Sequence, residues 1–402
     1  MPTFLHTADW QLGKPFARVE DDTKRALLQQ ERIEVLRRIG TLARERKAAF
    51  VLVAGDLFDS TTPSKSTVAA ACSAIKEIGV PVYAIPGNHD HGGVGSVWTQ
   101  PFFELTRQQL APNLHLLLEP KPIELDSAIL LPCPLLRRHE VTDPTAWLRD
   151  PEVTAALPAD KPRIVLAHGS IQGFGSQDDD DDSSGGGNGA PANIANFLDL
   201  NRLPAGAYDY LALGDWHGMK EITPSAWYAG TPERDRFPKG EGNLPGHVLC
   251  VTVERGATPV VEPVVTARFG WHHIAQDFQD DADVEACATR VEELLAGRSG
   301  ADLLRLELSG RLGMDAMTRL ETLLELWQSR LLRLKLANDT RLAPSDAEVE
   351  ALTRRTGDPL ISRVATRLVA LTRGADENAA SVARVALREL HANLAGPSQT
   401  LS

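Results

Sequence analysis

Apolar residues in the first part of the chain come in short runs that stop abruptly at polar or glycine-containing turns. Between them lie longer stretches with helical spacing. Phe4 to Thr7 reads as a short apolar strand leading to Asp9. From about Thr23 to Lys47, the residues Leu27, Leu28, Ile33, Leu36, Ile39, Leu42 and Ala43 recur at the period of an amphipathic helix. Phe50 to Ala54 is a fully apolar strand closed by Gly55-Asp56, and a second helix covers roughly Ser64 to Ile78. Further strands run from Pro81 to Ile85 into Gly87-Asn88-His89-Asp90, from Arg163 to Ala167 into His168, and from Tyr208 to Leu213 into Gly214-Asp215. In α/β sheets, ligands collect outside the carboxyl ends of strands. Polar residues placed there converge on one cleft without entering the core.

The pattern changes after Phe269. Up to that point strands and turns dominate, including Val248 to Val253 and Pro259 to Val265. Beyond it the spacing predicts a helix over Asp281–Leu295, a strand through Leu304, Leu306 and Leu308, a helix over Met314–Arg330 and a strand through Leu332, Leu334 and Leu336. This β-α-β unit predicts a small α/β domain, followed by helices over about Ser345–Arg355, Leu360–Arg373 and Asn378–Leu394. The expected division is therefore 1–268 and 269–402. Residues 173–192, with the run Asp178–Asp182 and the triplet Gly185–Gly187, cannot form a packed core and are expected to be a mobile acidic loop. Deleting Gln177–Gly189 is expected to leave folding intact.

Composition narrows the class. The 402 residues are 43% hydrophobic and 24% charged, as expected of an ordinary globular protein of two or three domains. No apolar run reaches membrane-spanning length and no secretory leader is visible, so a cytoplasmic protein is expected. Cys72, Cys133, Cys250 and Cys287 lie far apart and suit buried thiols better than a zinc ribbon or redox pair. The net charge of −12 argues against a passive nucleic-acid coat, yet not against a nuclease, because bound cations supply local positive charge.

The strand ends carry Asp9 and Gln11, Asp56, Asn88 with His89, His168, and Asp215 with His217. Carboxylates, imidazoles and amides are the ligand types of borderline-to-hard divalent ions. Two such ions about 3.5–4 Å apart can clamp a phosphoryl group, and a strand-end carboxylate such as Asp56 suits the bridge between them. Taken singly, Asn88 or His168 would read as turn caps; the ordered set does not.

Five blocks make the chain resemble the calcineurin-like metallophosphoesterases and, within them, the SbcD-type DNA repair exonucleases. They are His6–Gly13 (HTADWQLG), Ala54–Asp59 (AGDLFD), Pro86–Asp90 (PGNHD), Ala167–Gly169 (AHG) and Gly214–His217 (GDWH). Tyr228–Glu233 (YAGTPE) is similar to the family's later substrate-side segment. The resemblance implies a fold of class α/β: a metallophosphoesterase β-sandwich flanked by helices in four α/β/β/α layers, then a smaller α/β capping domain and C-terminal helices. It implies one ion held by Asp9, Gln11, Asp56 and His217, and another by Asp56, Asn88, His168 and Asp215, with Asp56 shared. His89 would serve the leaving oxygen, with Asp90 orienting its ring. Positions 11 and 215 are usually His in the family and here are Gln11 and Asp215. That shift from nitrogen to oxygen favours Mn²⁺, or Mg²⁺, over Zn²⁺, and the Gln11 ion is expected to be the weaker-bound of the two.

Arg234 and Arg236, following the last block, and His91 are the candidate substrate contacts. His6 is expected to be packed or hydrogen-bonded, and the His272-His273 pair is read as no metal site. The resemblance implies a DNA-end nuclease working with an SbcC-type coiled-coil ATPase, as a homodimer, with the C-terminal helices available for docking. A phosphodiesterase on a small nucleotide or phosphoester, or a scaffold with a weak metal site, are the alternatives: the acidic balance points to the first, Gln11 and Asp215 to the second.

Overall fold

A computed structural model of the chain describes residues 1–171, 195–237, 243–343 and 346–395. The acidic run and its neighbours, residues 173–192, lie outside the described residues. Two compact units emerge, Met1–Gly270 and Trp271–Ser402.

In the first unit the chain runs β1 (Thr3–Thr7), α1 (Asp22–Glu45), β2 (Val51–Ala54), α2 (Lys65–Ile78), β3 (Val82–Ile85), α3 (Pro101–Leu110), β4 (Leu114–Leu116), β5 (Ile123–Glu124) and β6 (Ile129–Cys133). It continues through α4 (Pro151–Ala155), β7 (Arg163–His168), β8 (Ser170–Ile171), β9 (Phe197–Leu198), β10 (Tyr210–Gly214), β11 (Lys220–Thr223), β12 (Ala226–Tyr228), β13 (His247–Thr252) and β14 (Val260–Val265). Two six-stranded sheets result, in the orders β14-β13-β1-β2-β3-β4 and β11-β12-β10-β7-β6-β5. The first two helices start where a side chain satisfies their free N–H groups. Asp21 accepts from the backbone N–H groups of Thr23 and Lys24 at the start of α1, and Ser64 accepts from Thr67 at the start of α2. Gly79, at φ 80°, closes α2 in the left-handed region.

The sheets pack face to face over Phe4, Leu52, Ile85, Leu130, Ile164, Leu166, Tyr210 and Val251. Strands buried on both faces cannot alternate apolar and polar residues, which is why they read as continuous apolar runs. Helices α1, α2 and α3 cover the outer face of the first sheet through Leu36, Ile39, Ile75 and Phe103. The outer face of the second sheet is covered more thinly, by Leu148, Ile171 and Leu198 with Trp147, Leu200 and Leu203. The fold is the α/β sandwich expected, and among the described residues the fourth layer is made of short segments rather than long helices. His6 ties the sheets together: its Nδ1 lies 2.8 Å from the Tyr210 hydroxyl and its Nε2 3.2 Å from the Leu213 carbonyl. Full burial pushes its pKa down to about 3, so it is a neutral structural group.

The second unit contains β15 (Gly270–Phe278), α5 (Asp283–Leu295), β16 (Asp302–Leu312), α6 (Met314–Arg330), β17 (Arg333–Asn338) and β18 (Arg341–Leu342), then α7 (Asp346–Thr353), α8 (Pro359–Thr372) and α9 (Glu377–Ala395). Helices α5 and α6 pack on the β15-β16-β17 sheet around Ile274, Val291, Leu306 and Trp327. Met314, Leu352, Ala365 and Leu387 form a smaller core among the last helices. His272 and His273 are paired with Asp302 and Glu307 at 2.9 and 3.0 Å. All four cysteines are buried and free. No described helix is long and apolar enough to cross a membrane.

Candidate metal centre

The turns that follow β1, β2, β3, β7 and β10 meet at one end of the sandwich. β1, β2 and β3 are parallel neighbours in one sheet, and β7 and β10 are parallel neighbours in the other. Parallel pairing aligns the carboxyl ends within each sheet, and the packing of the two sheets brings the two sets together, so residues far apart in sequence become neighbours. One donor atom from each of Asp9, Asp56 and His168, all buried, lie within 4.8 Å of one another. Asp215 joins them: His168 Nε2 is 3.7 Å from Asp215 Oδ1 and 3.6 Å from Asp56 Oδ2. Asn88 Nδ2 reaches Asp215 Oδ1 at 3.4 Å, and the Asp215 N–H donates to Asp9 Oδ1 at 3.2 Å.

The backbone is bent to make this possible. Asp9, Gln11, Asp56 and Asp215 all have positive φ, between 42° and 100°. Side chains other than glycine rarely adopt this region, and such conformations cluster where function over-determines them. Gly55, at φ 92°, is required for a second reason: a Cβ there would stand 2.1 Å from His168 Nδ1. We expect Gly55→Ala to cost at least about 3 kcal/mol and to weaken metal binding. Urea denaturation and manganese titration would check both, and a variant within 1 kcal/mol of wild type would refute the steric account.

His168 is set up as a ligand. Its Nδ1 donates to the Ala54 carbonyl at 2.8 Å, which fixes the proton there and leaves Nε2 as a lone pair. That Nε2 is buried with no hydrogen-bond partner, and so are Asp9 Oδ2 and Asn88 Oδ1. Buried polar atoms are almost always paired, so three orphaned acceptors, one of them on the carboxylate of Asp9, fit a cation. The electrostatics agree. Burial first, then the nearby Asp56 and Asp215, push Asp9 up to about 8, against the pull of His168. Burial, with Asp215 and Asp59 adding, pushes Asp56 up to about 7 against the pull of His89. A carboxylate cluster that resists ionising by itself is one that a divalent ion would stabilise.

Several expected residues take other roles. Asp90 does not orient His89: its carboxylate accepts from the Phe58 and Gly87 N–H groups at 3.0 and 2.8 Å, clamping the turns after β2 and β3 together. The His89 ring is held through Nδ1 by the Asp59 carbonyl at 3.0 Å, while its backbone N–H donates to Asp56 Oδ1 at 2.9 Å. Burial opposes charge on His89, but Asp56 and Asp59 outweigh it and raise its pKa. Gln11 gives its amide oxygen to Lys14 Nζ at 2.9 Å, because the ammonium stands within reach of that oxygen. Arg236 does not reach outward. Its Nη2 lies 2.7 Å from His217 Nδ1 and 3.4 Å from Nε2, distances that fit a guanidinium over the ring face, since an in-plane bond to Nδ1 would leave Nε2 farther away. Arg234 is directed to the Phe269 carbonyl, and His91 accepts from Gly93 N–H within its own turn.

Three residues at the centre escaped the sequence reading. Lys14 is buried, 3.3 Å from Asp235 Oδ2. Asp235 also holds His217 Nδ1 at 2.8 Å; burial favours its neutral form, but Arg236, His217 and Lys14 keep it well below the usual carboxylate range. Arg32, fully buried on α1, donates to the backbone carbonyls of Asp9, Trp10 and Glu233 and to the Thr231 hydroxyl. The only sequence hint was the alternation Arg234-Asp235-Arg236, which pairs an acid with its own neighbours.

A family model for the calcineurin-like phosphoesterases matches residues 2–219, a stretch that contains the whole carboxylate cluster. The chain is also 24% identical over 242 residues to the SbcD subunit of the SbcCD nuclease of Staphylococcus epidermidis, an alignment covering 55% of this chain and 58% of that protein. It thus spans little more than half the length of that curated relative.

Proposed function

Because this chain belongs to the calcineurin-like phosphoesterase family, and is by that membership a phosphoester hydrolase, we propose that it is a metal-dependent DNA exo/endonuclease subunit. It hydrolyses phosphodiester bonds at DNA ends, in DNA repair, in the cytoplasm. The observation that carries the metal dependence is that Asp9, Asp56 and His168 meet at one point, while Asp9 Oδ2, Asn88 Oδ1 and His168 Nε2 are buried without protein partners. Asp9, Asp56, Asn88, His168 and Asp215 would hold the cation, and Gln11 and His217 contact each other beside them. An oxygen-rich donor set of this kind suits Mn²⁺ or Mg²⁺. A divalent ion there supplies Lewis acidity and a water that ionises near neutral pH.

The chain's own groups do the rest. His89, with Nδ1 committed to Asp59, offers Nε2 to the leaving oxygen, and its raised pKa suits an acid. Asp90 fixes the turn on which His89 sits. The nuclease named among the relatives supports a nucleic-acid substrate and an SbcC-type coiled-coil ATPase as partner. Residues 269–402 form the capping and partner-binding part. Exposed Leu360, Val364, Val382 and Val385 on its last helices offer an apolar surface for the ATPase or a second copy.

The test is purified protein with Mn²⁺, offered double-stranded DNA ends, single-stranded DNA and bis-p-nitrophenyl phosphate. We expect DNA cleavage, falling about 100-fold in His89→Ala. Turnover of the small ester alone would replace the DNA reading with a small-phosphoester one. Bound Mn²⁺ with turnover of neither would leave a scaffold.

A further inference from the structure

The two halves of the carboxylate cluster differ in what their donor atoms face. Asp9 Oδ2, Asn88 Oδ1 and His168 Nε2 have no protein partner. Gln11 and His217, by contrast, are engaged by other protein groups. Lys14 Nζ donates to Gln11 Oε1 at 2.9 Å, pairs with Asp235 Oδ2 at 3.3 Å, and lies 3.9 Å from Asp59 Oδ1. Gln11 Nε2 lies 3.2 Å from His217 Nε2.

The sense of each bond in this chain is forced. The Asp235 carboxylate only accepts, so His217 Nδ1 carries the proton. His217 Nε2 is then a lone pair, which must face the NH₂ end of the Gln11 amide. That leaves the Gln11 oxygen for the ammonium of Lys14. Flipping the amide would set two donors against each other at Lys14 and leave the His217 lone pair facing an oxygen. The Lys14 side chain is only 7% exposed, so its charge belongs to the site and not to solvent. Arg236 lies over the other face of this network, against the His217 ring.

We propose that Lys14 replaces one of the two cations. The centre binds a single divalent ion per chain, among Asp9, Asp56, Asn88, His168 and Asp215, and the Lys14 ammonium supplies the second positive charge beside the phosphoryl group. This inference rests on the metal-centre reading above. A second divalent ion on the Gln11 side would have to break the Lys14–Gln11 and Gln11–His217 bonds. It would also sit beside two fixed cations, Lys14 and Arg236, with Asp235 already shared among them.

Electron paramagnetic resonance of the full chain at saturating Mn²⁺, with metal counted per chain by mass spectrometry after removal of free ion, tests this. The wild type is expected to bind one ion and give the spectrum of an isolated Mn²⁺. The double variant Gln11→His with Lys14→Ala, which exchanges a neutral amide for an imidazole and removes the ammonium, is expected to bind two and show an exchange-coupled pair. Lys14→Ala alone is expected to keep one ion and lose about 100-fold in turnover. Two ions in the wild type would overturn the inference and leave the metal centre standing; none would overturn both. Should the variants at buried Lys14 fail to fold, the wild-type count and spectrum decide the matter alone.

Discussion

Asp56→Asn is expected to abolish turnover, by at least about 10³-fold, while leaving the chain folded. The two consequences come from different oxygens. Oδ1 accepts the His89 N–H at 2.9 Å, and the asparagine oxygen can keep that bond, so the turn carrying His89 is preserved. Oδ2 faces His168 Nε2 at 3.6 Å. Replacing it by an NH₂ group removes a negative charge from the middle of the donor set and turns an acceptor into a donor. The same change should stabilise the metal-stripped protein. Burial raises Asp56 to about 7, so near pH 8 its ionised form is held against a penalty that asparagine does not carry. At about 1.4 kcal/mol per pKa unit, a gain of a few kcal/mol is expected. Turnover of bis-p-nitrophenyl phosphate with Mn²⁺ and urea midpoints in chelator would measure both. A variant retaining a tenth of wild-type turnover would refute the assignment of Asp56.

The second large effect is a pH dependence that the metal cancels. Asp9 is raised to about 8, and Asp56 and Asp90 to about 7, in each case chiefly by burial. A carboxyl raised in the folded state keeps its proton where the unfolded chain has lost it. Stability therefore falls as pH rises from the unfolded value, and the loss is complete above the folded pKa. At the acid end His6 and His217, pushed down to about 3 mainly by burial, act the other way: their penalty grows as pH falls below 6.5. Between about pH 6.5 and 8.5 these three carboxyls, His89 and Glu233, which burial raises to about 7, change, and all five lose stability in the same direction. Metal-stripped protein should be about 3 kcal/mol less stable at the upper end of that window. Saturating Mn²⁺ should restore most of it at pH 8.5, because an ion that binds only the folded state stabilises it by mass action. Equal urea midpoints across the window in chelator would sink the account.

Much of the architecture was legible because its causes are local. Apolar strands bounded by Gly55-Asp56 or Gly214-Asp215, the seven-residue helical pattern of α1 and the change of texture after Phe269 are written in consecutive residues. Other elements were not. β6, Ile129–Cys133, is a fully buried strand, yet a five-residue apolar run amid loops carries no period that identifies it. β4, β5 and β11 are short edge or near-edge strands whose existence depends on a partner strand rather than on their own residues. The outer cover of the second sheet could not be read either, because it is made of short segments lacking helical periodicity.

By itself, the sequence determined that polar residues of metal-ligand type stand at the ends of five apolar strands, since strand length and turn chemistry are properties of neighbouring residues. Only the tertiary structure decided which atoms meet. It is the parallel pairing within two separate sheets that brings Asp9 and Asp56 to His168, and the packing of those sheets that leaves Asn88 Oδ1 and His168 Nε2 without partners. It also turned Asp90 away from His89, laid Arg236 over His217 and placed Lys14 against Gln11. Those outcomes follow from distances between residues more than two hundred positions apart, and from competition among donors for the same acceptor, which no local pattern records.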